Sequence, residues 1–109
     1  VVIQIEDIAG ISNLPEMFEN VPGIGAVLIG EGDLGQELGY PRQYDHPALL
    51  EAIAEIVAVS LEHGVIVGHP HANAGNMQRL LDEGFRFLMT ATARSDTDLE
   101  IGLELTGRP

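Results

Sequence analysis

Two acidic residues each stand where a short apolar run gives out. The chain opens Val1-Val2-Ile3-Gln4-Ile5-Glu6, and a second run, Ala26-Val27-Leu28-Ile29, breaks into Gly30-Glu31-Gly32-Asp33. Glu6 and Asp33 therefore fall at the same relative place, just past the carboxyl end of a buried strand. In parallel α/β folds ligands bind at that end. Two carboxylates from neighbouring strand ends form an oxygen-ligand pair suited to Mg²⁺ or Mn²⁺. Plainer roles compete, with Glu6 capping a turn and Asp33 capping a short helix over 34–38. Gly30 and Gly32 shift the balance, because they let the backbone pass close to a ligand. They also leave the amides of Gly32, Asp33 and Leu34 free to face a carboxylate or phosphate.

Gln4 lies two residues before Glu6 and so points to the same side of its strand. A buried Gln among Val and Ile must hydrogen-bond something, either a neighbouring strand or a ligand in the pocket. His69-Pro70-His71 follows a third apolar run. Two His at i, i+2 can bind zinc, but Pro70 bends the backbone and no further His or Cys cluster is at hand. The preferred reading is a loop lining the mouth of a pocket. His46 and His63 read as helix-end residues. Arg86 falls in the fourth strand segment, and Arg94 after it suits a surface salt bridge better than an anion site. There is no Ser–His–Asp spacing and no P-loop. Gly30-Glu31-Gly32 lacks the third glycine of a dinucleotide fingerprint, and Gly23 and Gly25 precede a strand rather than follow one.

The elements that must position these groups alternate along the chain. Strands are expected over 1–5, 26–29, 65–68 and 85–89, each continuously apolar, as strands buried on both faces read. Ser12 or Asn13 is expected to cap a first helix with Pro15 in its first turn, ended by Asn20, Pro22 and Gly23. Asp45 is expected to cap a longer one, with Pro47 just inside and Gly64 at its stop. Its inward stripe is Leu49, Leu50, Ile53, Ile56, Val57, Ser60 and Leu61, interrupted by polar Ser60. Asn73 opens a third, with Met77, Leu80 and Leu81 inward and Gly84 at its end. Ser95 with Asp98 resembles a capping box for a last helix with Leu99, Ile101, Leu103 and Leu105 on its apolar face. Strand–helix alternation predicts parallel strands with right-handed crossovers. Four such units make a small open sheet or half of a (β/α)8 barrel of the TIM type. The chain opens on a strand with no Met, which reads as a cut inside a domain and favours the half-barrel. Residues 1–109 are read as one domain.

Bulk composition narrows the partners. With 17 acidic and 5 basic residues among 109, the net charge of −12 argues against nucleic acid and against an anionic membrane surface. The 45% apolar content is enough for a core, and the absence of Cys excludes thiolate sites and fits a reducing, cytoplasmic setting. No apolar run approaches the length of a membrane span, and no signal peptide is legible.

Several stretches together resemble the HpcH/HpaI aldolase family. They are Gln4-Ile5-Glu6, Val21 through Leu34, Leu38-Gly39-Tyr40-Pro41-Arg42-Gln43, His46-Pro47, Gly68 through His71, and Glu83 through Met89. The resemblance covers essentially the whole chain but only the carboxyl-terminal half of the family's barrel. It implies that Glu6 and Asp33 match the two metal-binding acids. It also matches Gln4, Gly30, Gly32 and Asp33 to the pocket that holds pyruvate. It implies a lyase using Mg²⁺, Mn²⁺ or Co²⁺, in class II aldol cleavage or condensation between pyruvate, as a metal-stabilised enolate, and an aldehyde. It implies trimers or hexamers with the last helix exchanged between subunits. No residue of this chain matches the family's catalytic base, which the resemblance places in the amino-terminal half. The family often has Pro and Ala or Ser at positions 31 and 32, and Ser at 35. Glu31, Gly32 and Gly35 therefore bear on substrate choice. The competing readings are a CoA-ester lyase of the citrate or malyl-CoA type, and a non-catalytic half-barrel that binds metal or oxo-acid.

Overall fold

A computed structural model describes residues 1–90 and 97–108. Nine elements follow in order. They are β1 (Val2–Ile5), α1 (Ile8–Asn20), β2 (Ala26–Ile29), α2 (Glu31–Glu37), α3 (Pro47–Glu62), β3 (Ile66–Ala72), α4 (Met77–Glu83), β4 (Phe87–Thr90) and α5 (Thr97–Leu105). The strands form one parallel sheet in the order β1-β2-β3-β4. Pairing runs without offset across the first three, Val2 to Ala26 to Ile66 and Gln4 to Leu28 to Gly68. Laterally paired residues share a face, so Ile3, Val27 and Val67 point one way and Gln4, Leu28, Gly68 and Phe87 the other.

The first of these faces carries the core. Ile5, Val27, Ile29 and Val67 pack with Ile11 and Leu14 of α1, Leu34 of α2, Leu49, Ile53 and Ile56 of α3, and Met77 and Leu80 of α4. The opposite face is bare: Val2, Gln4, Phe87 and Met89 are exposed. The strands read as buried on both faces, yet helices cover only one of them among the described residues. Gln4, expected to be buried, is therefore exposed.

Helix starts differ from expectation wherever a competing cap lies nearby. α1 begins at Ile8 because Asp7 caps it, its Oδ1 accepting from the Gly10 amide. Ser12 is already helical and donates to the Ile8 carbonyl, and Pro15 sits deep inside the helix rather than in its first turn. α3 is capped by His46, not Asp45: His46 Nδ1 accepts from the Ala48 amide at 3.2 Å, and its ring stacks on Tyr40 at 3.4 Å. Leu49, Ile53, Ile56, Val57 and Ser60 of the expected stripe are buried, while Leu50 and Leu61 stay exposed. α4 is capped by Asn76. Asn73 makes the preceding turn instead, its carbonyl accepting from the Asn76 and Met77 amides. Gly84 ends α4 in the left-handed region at φ 105°, as expected.

β3 runs on to Ala72, so His69-Pro70-His71 lies within the strand rather than in a loop after it. Pro70 offers no amide, and the pairing with β4 shifts between His69 and Ala72. β4 starts at Phe87. Phe85 is a fully buried anchor before it, and Arg86 caps the end of α4 by donating to the Leu81 and Phe85 carbonyls. None of the α5 side chains is buried, and Leu99 and Leu105 of its expected apolar face are exposed. Its Gly102 lies against Met77, where an added Cβ would sit 3.4 Å from Met77 Cε. Asp98 accepts from the Ala74 amide. Arg94 and Ser95 lie outside the described residues.

At Gly68 a Cβ would stand 2.8 Å from Phe87 Cδ1 and 2.9 Å from the Phe87 carbonyl oxygen. Gly68→Ala is expected to push β3 and β4 apart and to cost about 1–3 kcal/mol, read as a lower urea midpoint at unchanged slope.

Candidate functional site

The parallel register brings the carboxyl ends of β1 and β2 side by side. Beyond the last ladder pair, Ile5 with Ile29, the Gly30 amide donates to the Ile5 carbonyl at 2.8 Å. Gly30 then passes so close to Glu6 that an added Cβ would lie 2.4 Å from Glu6 Cβ and 3.0 Å from Gln4 Nε2. Only glycine fits there. Gln4 Nε2 donates to Glu6 Oε2 at 2.9 Å. The structure thus gathers Gln4, Glu6 and Gly30 at one point on the bare face of the sheet, with both polar side chains exposed.

Asp33 lies three residues on, in the first turn of α2. The helix starts earlier than expected, with Gly30 as N-cap and no side-chain cap, so Asp33 does not cap it. Its carboxylate is exposed and makes no hydrogen bond or ion pair among the described residues. The Leu34 amide is not free for an anion, since it donates to the Gly30 carbonyl at 3.0 Å. The amides of Gly32 and Asp33 precede the first intrahelical bond and keep their capacity to donate.

Glu31 turns the other way. Two residues along a helix are about 200° apart, so Glu31 and Asp33 leave α2 on opposite sides. Glu31 is only 7% exposed and reaches β3. Its Oε1 accepts from His71 Nδ1, and its Oε2 lies 3.5 Å from His69 Nε2. His69, equally buried, accepts the His71 amide on Nδ1 at 3.1 Å and stands edge-on to Phe85. With Nδ1 accepting, the neutral His69 ring carries its proton on Nε2 and points it at Glu31. A zinc-bound His needs the reverse, a metal on one nitrogen and a donated N–H from the other. Glu31, His69 and His71 are engaged with one another, and no group of three or more side chains arranged to hold a metal is found among the described residues. Sequence reasoning missed this cluster. His69 and His71 are 38 and 40 residues from Glu31, and only the β2–β3 register joins them.

A cavity of about 960 Å³ opens beside His69 and His71, between α3 and α4, with Ile53, Val57, Leu80 and Phe85 on its wall. Neither Gln4, Glu6 nor Asp33 lines it. It lies on the helix side of the sheet, among residues of α3, β3 and α4.

The family model described as HpcH/HpaI aldolase/citrate lyase matches residues 1–95. The chain belongs to this family. The 4-hydroxy-2-oxo-heptane-1,7-dioate aldolase of Escherichia coli is 33% identical over 88 residues, 81% of this chain and 33% of the relative. The hydroxypyruvate/pyruvate aldolase of Roseobacter denitrificans is 33% identical over 89 residues, 82% and 34% of the two chains. The chain thus spans about a third of the length of the curated relatives it matches. Among solved structures, an HpcH/HpaI aldolase/citrate lyase family protein from Burkholderia cenocepacia superposes with a TM-score of 0.77 at 21% identity. It covers 98% of this chain and 40% of its own. The four βα units are therefore part of a TIM-barrel-type fold, as expected.

Burial raises the Glu31 pKa, but the hydrogen bonds and electrostatic pull of His69 and His71 outweigh it and hold the carboxyl below its ordinary 4.5. A depressed folded-state pKa stabilises the fold above the unfolded value, and that contribution is lost as pH falls through the folded value. The stability advantage of the wild type over Glu31→Gln should therefore be full near neutrality. It should shrink once pH drops below about 4.5, as followed by urea unfolding across that range.

Proposed function

We propose that the protein containing this chain is a divalent-metal-dependent, class II aldolase that cleaves or forms the C–C bond between pyruvate and an aldehyde. On this reading residues 1–109 are the carboxyl-terminal half of its barrel, and Glu6 and Asp33 hold the metal. The observation that carries it is the convergence of Gln4, Glu6 and Gly30 at the end of β1, one short turn from Asp33. The names of the aldolase relatives support the same chemistry.

The donor set fits a hard cation. It is all oxygen, both carboxylates are exposed, and two protein ligands leave room for water and substrate oxygens, as Mg²⁺ and Mn²⁺ require. A bound divalent ion supplies a Lewis acid that stabilises negative charge on the keto oxygen of the 2-oxo acid. Gln4 orients Glu6 through its 2.9 Å bond, leaving Glu6 Oε1 free to ligate. The amides of Gly32 and Asp33 hold the substrate carboxylate, and Gly30 keeps Cβ bulk out of the space between them and Glu6. Lysine is absent from these residues, so none of them forms a Schiff base with the keto group. The histidines are committed elsewhere: His46 and His63 sit at the ends of α3, and His69 and His71 face Glu31. On this reading the proton-transfer group lies in the amino-terminal half of the barrel, as the family resemblance implies.

In the Mn²⁺-loaded complete protein, Glu6→Ala and Asp33→Ala should each lower kcat/KM for cleavage of a 4-hydroxy-2-oxo acid by about 100-fold or more. EDTA should abolish the wild-type activity. Pyruvate release that persists in EDTA would overturn the reading.

A further inference from the structure

The turn that carries Asp33 is fastened on both flanks, and the two fastenings differ in kind. On the β1 side it is held by backbone, through the Gly30 amide on the Ile5 carbonyl and the close pass of Gly30 over Glu6. On the β3 side the last ladder pair is Leu28 with Gly68, two residues before Gly30. There the buried Glu31 carboxylate ties the turn to β3, accepting from His71 Nδ1 and lying 3.5 Å from His69 Nε2. A carboxylate this buried must have its oxygens satisfied, and the two imidazoles do that. Each imidazole is fixed in turn. His69 is set by the His71 amide and by the edge contact with Phe85, and His71 by the strand itself. The bracket leaves His71 largely open, its side chain 63% exposed.

We infer that the Glu31–His69–His71 bracket is a positioning device for the metal site. By locking Glu31 to β3 it sets where Asp33, two residues on, stands relative to Glu6. This rests on the reading of Glu6 and Asp33 as metal ligands. The three residues touch neither the ion nor the substrate. They act through the Gly30–Asp33 turn, as outer partners commonly orient a metal's ligands. Asp33 itself accepts no hydrogen bond among the described residues, so the path of the turn is what holds it. Loss of the bracket removes the turn's tie to β3, leaves Asp33 held from β1 and by the buried Leu34 of α2, and costs affinity for the cation before it costs the fold.

The test is Mn²⁺ binding to the complete protein, by calorimetry or by the loss of the free-ion EPR signal, with thermal unfolding of each variant alongside. His71→Ala removes one arm of the bracket at an exposed position. It should raise the Mn²⁺ Kd about tenfold. His71→Leu, which keeps bulk but cannot donate, should do the same, and so stands in should the alanine variant fail to fold. His71→Asn, whose amide can donate where Nδ1 did, should stay within about twofold of wild type. Affinity unchanged in His71→Ala and His71→Leu, while Asp33→Ala abolishes binding, overturns the bracket and leaves the metal reading standing. Equal weakening in the Asn, Ala and Leu variants overturns it too, since donation to Glu31 would then be irrelevant. Mn²⁺ affinity unaffected by Glu6→Ala and Asp33→Ala overturns both readings at once.

Discussion

Parallel strands can be joined only by a crossover long enough to return the chain to the same end of the sheet. In this chain that constraint is met with almost no slippage between strands. β1, β2 and β3 pair residue for residue, so their carboxyl ends finish along one line. Whatever each strand places after its last apolar residue is thereby gathered with its neighbours. Glu6 follows β1 and Gly30 follows β2, and their contact is so close that any side chain at position 30 would collide with Glu6. The candidate site follows from this contact. A one-residue slip would turn Gln4 onto the helix-covered face and bring Ile5 to the bare one.

The four residues Gly30-Glu31-Gly32-Asp33 divide their work by helical geometry. Gly30 provides the close pass. Glu31 and Asp33, on opposite sides of α2, face different surroundings. One is buried against two imidazoles, and the other is open to solvent. A buried carboxylate with both oxygens occupied is a fastener. An exposed one with no partner among the described residues is available as a ligand. The same chemistry engages His69-Pro70-His71, which has a zinc-like spacing, with the Glu31 carboxylate. The accepting Nδ1 of His69 sends its proton toward Glu31, and His71 gives its Nδ1 to the same carboxylate.

Much of this was legible in the chain. β2 spans the expected residues, and α3, ended by His63 before Gly64, has the expected inward residues Leu49, Ile53, Ile56 and Val57. Long amphipathic periodicity and continuous apolar runs are strong signals because they summarise many residues at once. Caps were misplaced because several adjacent residues could serve. Asp7 beat Ser12, and His46 beat Asp45, each decided by which side chain the preceding turn delivers to the first free amides. The far end of β3 was hidden because a proline in a run of histidines reads as a break. The pairing with β4 instead absorbs it as a register shift. Gln4 and Glu6 were visible from their parity alone. The partnership of Glu31 with His69 and His71 was not, since no local pattern links residues so far apart.

The most direct measurement is a crystal structure of the complete protein grown with Mn²⁺ and pyruvate, with anomalous data collected at the manganese edge. The account predicts a single peak between the Glu6 and Asp33 carboxylates, on the bare face of the sheet, with the pyruvate carboxylate at the Gly32 and Asp33 amides. A manganese peak at Glu31, His69 and His71 instead, or Glu6 and Asp33 left without metal in crystals of active protein, would contradict it.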